Sequence, residues 1–128
     1  MFVKVVSIKA DFAEAYNNLG IIYSLQNDYN QAIINFRKAV ELINKFDYAY
    51  YNLFLALKEQ KRIDEAIIAI KNAIRFNKFN AEYYCELGNT YIEIGDKENA
   101  IIIYGKLIGI NKDAANKLMD KIKMSSRS

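Results

Sequence analysis

The sequence predicts an all-α protein made from a repeated pair of helices, and two observations carry that expectation. Tyr16, Tyr50 and Tyr84 stand 34 residues apart, and Leu19, Leu53 and Leu87 keep the same step, as do Tyr23, Leu57 and Tyr91. Within each copy the spacing of these residues puts them on one helical stripe, with Gly20 removing a side chain where a second helix must come close. A second stripe follows in phase through Ala32, Ala66 and Ala100, then Phe36, Ile70 and Tyr104, then Ala39, Ala73 and Leu107.

The chain opens on a partial helix. Stepping back by one repeat maps Phe2 onto Phe36, Val5 onto Ala39 and Ile8 onto Leu42. Residues 1–10 therefore read as the last turns of a second helix whose own first helix is missing. Either the sequence is a piece of a longer array, which is the favoured reading, or the protein begins with half a repeat. The apolar surface of Phe2, Val5 and Ile8 is expected to pack on a second copy, or to unravel and lie across the first repeat. Asp11 is expected to start a new helix as its N-cap, with Glu14 completing a capping box.

The first full repeat, residues 13–46, turns at Asn27-Asp28, where Asn tolerates a left-handed backbone and Asp28 with Gln31 marks the next helix start. The second, residues 47–80, departs from the pattern. Phe54 stands where Gly20 and Gly88 stand, so this repeat should splay or shrink elsewhere to hold it. Its turn, Lys61-Arg62, has neither Gly nor Asn. The third, residues 81–114, restores Gly88 and a Gly95-Asp96 turn. Gly105 and Gly109 are expected inside its second helix, each costing about 1 kcal/mol against Ala and making that helix the softest. Residues 113–124 form an amphipathic capping helix with Ala115, Leu118, Met119 and Ile122 on one face and Asn116, Lys117, Asp120, Lys121 and Lys123 on the rest. Residues 125–128 are expected to be a disordered tail.

Composition narrows the function more by exclusion than by signal. At 128 residues, 52% hydrophobic and 26% charged, the chain is one globular domain's worth. The net charge of +3 is spread along it and points to no partner. Abundant Asn, Lys, Ile and Tyr look like AT-rich coding sequence. One cysteine excludes an internal disulfide. With no histidine, the commonest general base and metal ligand is missing, and Cys85 has neither a His partner nor a second cysteine at ligand spacing. Gly88-Asn89-Thr90 and Gly105-Lys106 lie within helices and lack the Gly-rich run of a phosphate loop. No catalytic residue, cofactor or metal is expected. No apolar run reaches the roughly 18 residues of a spanning helix, and no signal peptide is evident, so a cytoplasmic protein without membrane contact is expected.

The 34-residue period and the order of residues within it resemble the tetratricopeptide repeat, from Ala13 to about Ala114. The resemblance implies a right-handed superhelical solenoid of antiparallel helix pairs, with the first helix of each pair lining a concave groove. The candidate peptide-binding residues on that face are Asn17, Asn18 and Ile21, then Tyr48, Tyr51, Asn52 and Leu55, then Glu82, Glu86 and Asn89. Amides that hydrogen-bond a peptide backbone beside exposed aromatics suit an extended segment of a partner protein. The acidic end, with Glu93 beside Glu82 and Glu86, favours neutral or basic segments. Ala at Tyr51 and Asn52 is expected to abolish binding without unfolding. Nucleic acid is not expected, because Lys and Arg do not line this path.

The resemblance also implies one mismatch. Relatives that clamp acidic C-terminal tails use two Lys, an Arg and two Asn. The matching positions here hold Asn17, Ile21, Asn52, Glu82 and Glu86, of which only Asn52 agrees, so acidic tails should be repelled. The alternative reading is a structural element that self-associates through its repeat ends, including a homodimer through the N-terminal half-repeat.

Overall fold

A computed structural model describes residues 2–125, with side chains from residue 8 onward. The helices are α1 (Phe2–Leu25), α2 (Tyr29–Leu42), α3 (Asp47–Glu59), α4 (Ile63–Phe76), α5 (Ala81–Glu93), α6 (Lys97–Ile108) and α7 (Lys112–Ser125). No strand occurs among the described residues. The all-α class and the helix-pair repeat are as expected. The chain divides into two compact units, Met1–Phe76 and Asn77–Ser128.

In the first unit α1 packs on α2 and α3, α2 on α3, and α3 on α4. Ala32, Ala39, Ala66 and Ala73 are wholly buried, and their small side chains let the helices approach closely. The space left is filled by Phe36, Phe54, Leu57 and Ile70. Gly20 makes room for one of these, since a Cβ there would run into the Phe36 ring. Phe54 does point inward. Its repeat carries Ile70 where the first carries Phe36, so the bulk has moved from the second helix to the first. That exchange is the shrinkage expected of this repeat.

Each turn within a helix pair has one residue with a left-handed backbone: Asn27 (φ 62°), Lys61 (φ 61°) and Gly95 (φ 80°). The residue after it donates its N–H back to a carbonyl five residues earlier, Asp28 to Tyr23 at 2.9 Å, Arg62 to Leu57 at 2.9 Å and Asp96 to Tyr91 at 2.8 Å. This closure satisfies a carbonyl at the end of the first helix. Asp28 then accepts the N–H of Gln31 at 3.2 Å, and Asp96 that of Asn99 at 3.2 Å. Asn80 and Asn111 cap the next helices in the same way, accepting from Tyr83 at 3.2 Å and Ala114 at 3.0 Å.

In the second unit α5, α6 and α7 pack on one another. Ala115, Leu118 and Ile122 of α7 are buried, and a Cβ on Gly88 would meet the Leu118 side chain at 2.7 Å. Thr90 Oγ1, fully buried, donates to the Glu86 carbonyl at 2.7 Å.

Four expectations about elements change. Asp11 is not an N-cap but an exposed residue inside α1, which runs unbroken from Phe2 to Leu25. An N-cap requires the preceding chain to leave the helix, and Lys9-Ala10-Asp11-Phe12-Ala13 holds no Gly, Asn or Pro to end one. For the same reason the N-terminal stretch neither unravels nor folds back across the first repeat. The side chains of Phe2 and Val5 lie outside the described residues; Ile8 is exposed. Gly109 is the C-cap of α6 rather than an interior residue, so only Gly105 weakens that helix. Ser125 closes α7, its hydroxyl donating to the Ile122 carbonyl at 2.7 Å, and the rest of the expected tail lies outside the described residues.

Candidate functional site

The candidate residues fall on α1 and α3 in the first unit and on α5 in the second. On α1 and α3 they are drawn together by one hydrogen bond, from Asn52 Nδ2 to Asn17 Oδ1 at 3.0 Å. Asn17 is only 4% exposed, while Asn52 is half-buried. Asn17 therefore acts between the helices, and Asn18 beside it faces solvent. Ile21 is half-buried and Leu55, one repeat on, is exposed.

An aromatic ladder runs up α3. Tyr48 and Tyr51 have ring centroids 6.4 Å apart with planes tilted by 41°, and Tyr51 stacks on Phe54 at 6.4 Å and 20°. Spacing of three residues brings each ring over the next. Phe54 is anchored in the core, Tyr51 is half-buried against it, and Tyr48 ends the ladder 52% exposed. The result is an apolar surface anchored in the core from below, with the Asn52 amide next to Tyr51 along the same helix. A surface fixed before a ligand arrives loses less entropy on binding.

In the second unit Glu82 is exposed and Glu86 and Asn89 are half-buried. Asn89 is joined to α7, its Oδ1 accepting from Lys121 Nζ at 3.2 Å. Between these helices lies a cleft of about 320 Å³ lined by Cys85, Asn89, Asn111, Asp113, Lys117 and Lys121 among others. Burial pushes the Cys85 thiol above its ordinary range, with Glu86 and Glu82 adding to the shift and Lys121 and Lys117 opposing it. At neutral pH this sulfur is a thiol, not a nucleophilic thiolate. Among the described residues no group of three Cys, Asp or Glu side chains is placed to hold a metal. Nor is any helix of the described residues long and apolar enough to cross a membrane.

Sequence reasoning missed the lysines of α7 as part of this cleft and treated them as solvated backing. The 34-residue step puts Lys121 where Leu87 and Leu53 stand, which are core positions. A charge that cannot be buried unpaired at a core position was the available signal that α7 sits differently from α3 and α5.

Comparison with known proteins bears on this arrangement. Models of the tetratricopeptide repeat match residues 13–46 and 81–113. The chain is 32% identical over 96 residues to Protein STIP1 homolog of Dictyostelium discoideum, an alignment covering 70% of this chain and 17% of that protein. It thus spans about a sixth of the relative's length. Among solved structures, the first TPR of Spaghetti (RPAP3) bound to the HSP90 peptide SRMEEVD superposes with a TM-score of 0.80 at 19% identity, covering 93% of this chain and 96% of that one. MamA gives 0.73 at 27% identity over 98% and 85% of the two chains. The Arabidopsis OM64 TPR domain gives 0.79 at 15% identity over 91% and 98%.

Proposed function

The chain belongs to the tetratricopeptide repeat family, and on that footing we propose that it is a non-catalytic interaction module that takes a short segment of a partner protein on the faces of its first helices. The observation that carries this reading is the ladder Tyr48–Tyr51–Phe54, an exposed ring propped on the core of a helix that also carries Asn52 and Leu55. An apolar side chain of the segment lies against Tyr48 and Leu55, while the Asn18 amide satisfies the segment's backbone. In the second unit, taken by itself, Glu82 and Glu86 give α5 a face that favours basic segments. Lys117 and Lys121 confine that preference to the Glu82 side of α5. That a peptide-bound repeat domain and a STIP1 homolog resemble this chain supports a protein ligand, and their low identity or partial coverage leaves the ligand's sequence to this chain's own chemistry.

The test is a peptide array of neutral, basic and acidic segments, followed by calorimetric titration of the hits. Tyr48→Ala and Leu55→Ala should weaken binding about tenfold or more each, since a central aromatic or apolar anchor contributes over 1 kcal/mol, with the circular dichroism spectrum unchanged. The acidic peptide SRMEEVD should not bind. Tight binding of that peptide, or full affinity in both Ala variants, overturns the reading.

A further inference from the structure

Within the second unit, the cleft between α5 and α7 has a chemistry that the aromatic ladder lacks. Its volume of about 320 Å³ is at the small end of the range for ligand pockets. Both amide oxygens in its lining are already engaged. Asn111 Oδ1 accepts the Ala114 N–H at 3.0 Å, and Asn89 Oδ1 accepts from Lys121 Nζ at 3.2 Å. What each amide leaves for a ligand is its NH2 group, a donor. Lys117, one turn from Lys121 on α7, adds an ammonium with no hydrogen bond or ion pair among the described residues. Against these two lysines the lining carries one acid, Asp113, while the Cys85 thiol is uncharged at neutral pH. The cleft therefore holds a single net positive charge, beside the apolar side chains of Ala114 and Leu118.

On the reading of this chain as an interaction module, we propose that the cleft binds one carboxylate, the Asp or Glu side chain of a partner segment. Two features select that group. Every unengaged nitrogen in the lining is a donor, so the site matches an acceptor and not a cation. One negative charge neutralises the lining, whereas a phosphate group carrying nearly two overshoots it. The source of the carboxylate follows from α5. Glu82, Cys85, Glu86 and Asn89 recur at steps of three and four along one face of that helix, so a segment lying on Glu82 and Glu86 runs on to the cleft. From Glu82 to Asn89 the helix rises about 10 Å, which an extended chain crosses in about three residues. The segment thus carries a Lys or Arg about three positions from its Asp or Glu. A multiply acidic tail stays excluded, because one carboxylate already neutralises the cleft and Glu82 and Glu86 repel the others.

The experiment is an NMR titration of the isotope-labelled 128-residue chain at neutral pH, following the side-chain amides of Asn89 and Asn111. Glutamate capped at both ends should shift both amides to saturation. Capped glutamine and inorganic phosphate should bind more weakly than it does. Lys117→Met, which breaks no bond of the fold, should weaken capped glutamate about threefold to fivefold. Lys123→Met, on α7 but outside the cleft, should leave it unchanged. A capped tetrapeptide with lysine and glutamate at its ends, made in both orders, should in one order bind about threefold tighter than capped glutamate. Glu82→Gln with Glu86→Gln should remove that gain. Tyr48→Ala should alter none of these titrations, so a failure of the ladder and a failure of the cleft are read separately. Equal shifts with capped glutamine, tighter binding of phosphate, or full affinity in Lys117→Met overturns the site. No gain from lysine in either order overturns its assignment to a segment.

Discussion

Asn52 donates to Asn17 across 3.0 Å, from a half-buried position on α3 to a nearly buried one on α1. The two residues are 35 apart, one more than the repeat, because the bond joins neighbouring positions on successive first helices. Asn52→Ala leaves the Asn17 oxygen without its partner and should destabilise the first unit by about 1–3 kcal/mol. The double variant Asn17→Ala/Asn52→Ala should cost less than the two singles together, by about 0.5–3 kcal/mol of coupling. Urea titration of the four proteins reads it. Additive costs would mean that the bond carries no weight. Asn52 is consequently a poor probe of peptide binding, since its loss disturbs the wall as well as the ligand contact.

Lys61 holds a left-handed backbone that Asn27 and Gly95 adopt with less strain. A side chain in that region costs roughly 1–2 kcal/mol, part of which glycine returns as unfolded-chain entropy. Lys61→Gly should therefore raise stability by about 0.5–1 kcal/mol, seen as a higher urea midpoint at constant slope. A lower midpoint would show that Lys61 earns its place by contacts beyond the turn.

Two helical glycines should respond oppositely to the same substitution. Gly105 has open space where a Cβ would go, so Gly105→Ala should stabilise by about 0.5–1 kcal/mol. Gly20→Ala drives a methyl group into the buried Phe36 ring and should cost about 1–3 kcal/mol. Thermal unfolding of both variants tests the pair, and equal shifts in either direction would refute the assignment of Gly20 to a close contact.

The exchange of bulk between Phe54 and Ile70 makes a fourth stability prediction. Phe54→Ala opens a cavity and should cost about 3–5 kcal/mol. Ile70→Phe alone overfills the same core and should cost about 1–3 kcal/mol. Phe54→Ala with Ile70→Phe moves the bulk back toward the arrangement of Gly20 and Phe36, and should lose less than the sum of its parts. The double-mutant cycle measures it.

Cys85 gives a prediction in pH. Its thiol is raised by burial, so alkylation by iodoacetamide should be slow at neutral pH and accelerate only above the range of a free cysteine. Lys121→Glu removes a charge that favours the thiolate and adds one that opposes it, and should move the rate profile to still higher pH. A profile unmoved by that change would separate Lys121 from the sulfur.

The sequence alone showed the helix pairs because their signal is local and repeated. Asn27, Asp28, Gly95 and Asp96 each name a turn by their own chemistry. Lys61 shows the limit of such signals: its conformation follows from the closure of the turn by Arg62 and Leu57, and nothing about lysine announces it. The start of α1 was misplaced because Asp11 and Glu14 satisfy a local capping rule that holds only when the chain before them is not already helical. On α3 the aromatic spacing of the sequence agrees with the ring contacts of the structure. Spacing alone misjudged the exposure of Asn17, whose polar side chain suggested solvent while a partner on the next first helix allows it to be buried, and the placing of Lys117 and Lys121, which lie outside the repeat register.

The overhanging turns of α1 also bear on how fast events at this end can be watched. Its 24 residues span about 36 Å against about 21 Å for the 14 of α2. Amide protons at residues 8–12 are retained only by the helix's own bonds, so in an isolated molecule they should exchange with deuterated solvent far sooner than those around Ala13 and Gly20. Whatever covers the overhang slows that exchange. The ratio of rates between the two stretches is thus a built-in clock for association, readable by mass spectrometry on unlabelled protein at concentrations too low for sedimentation.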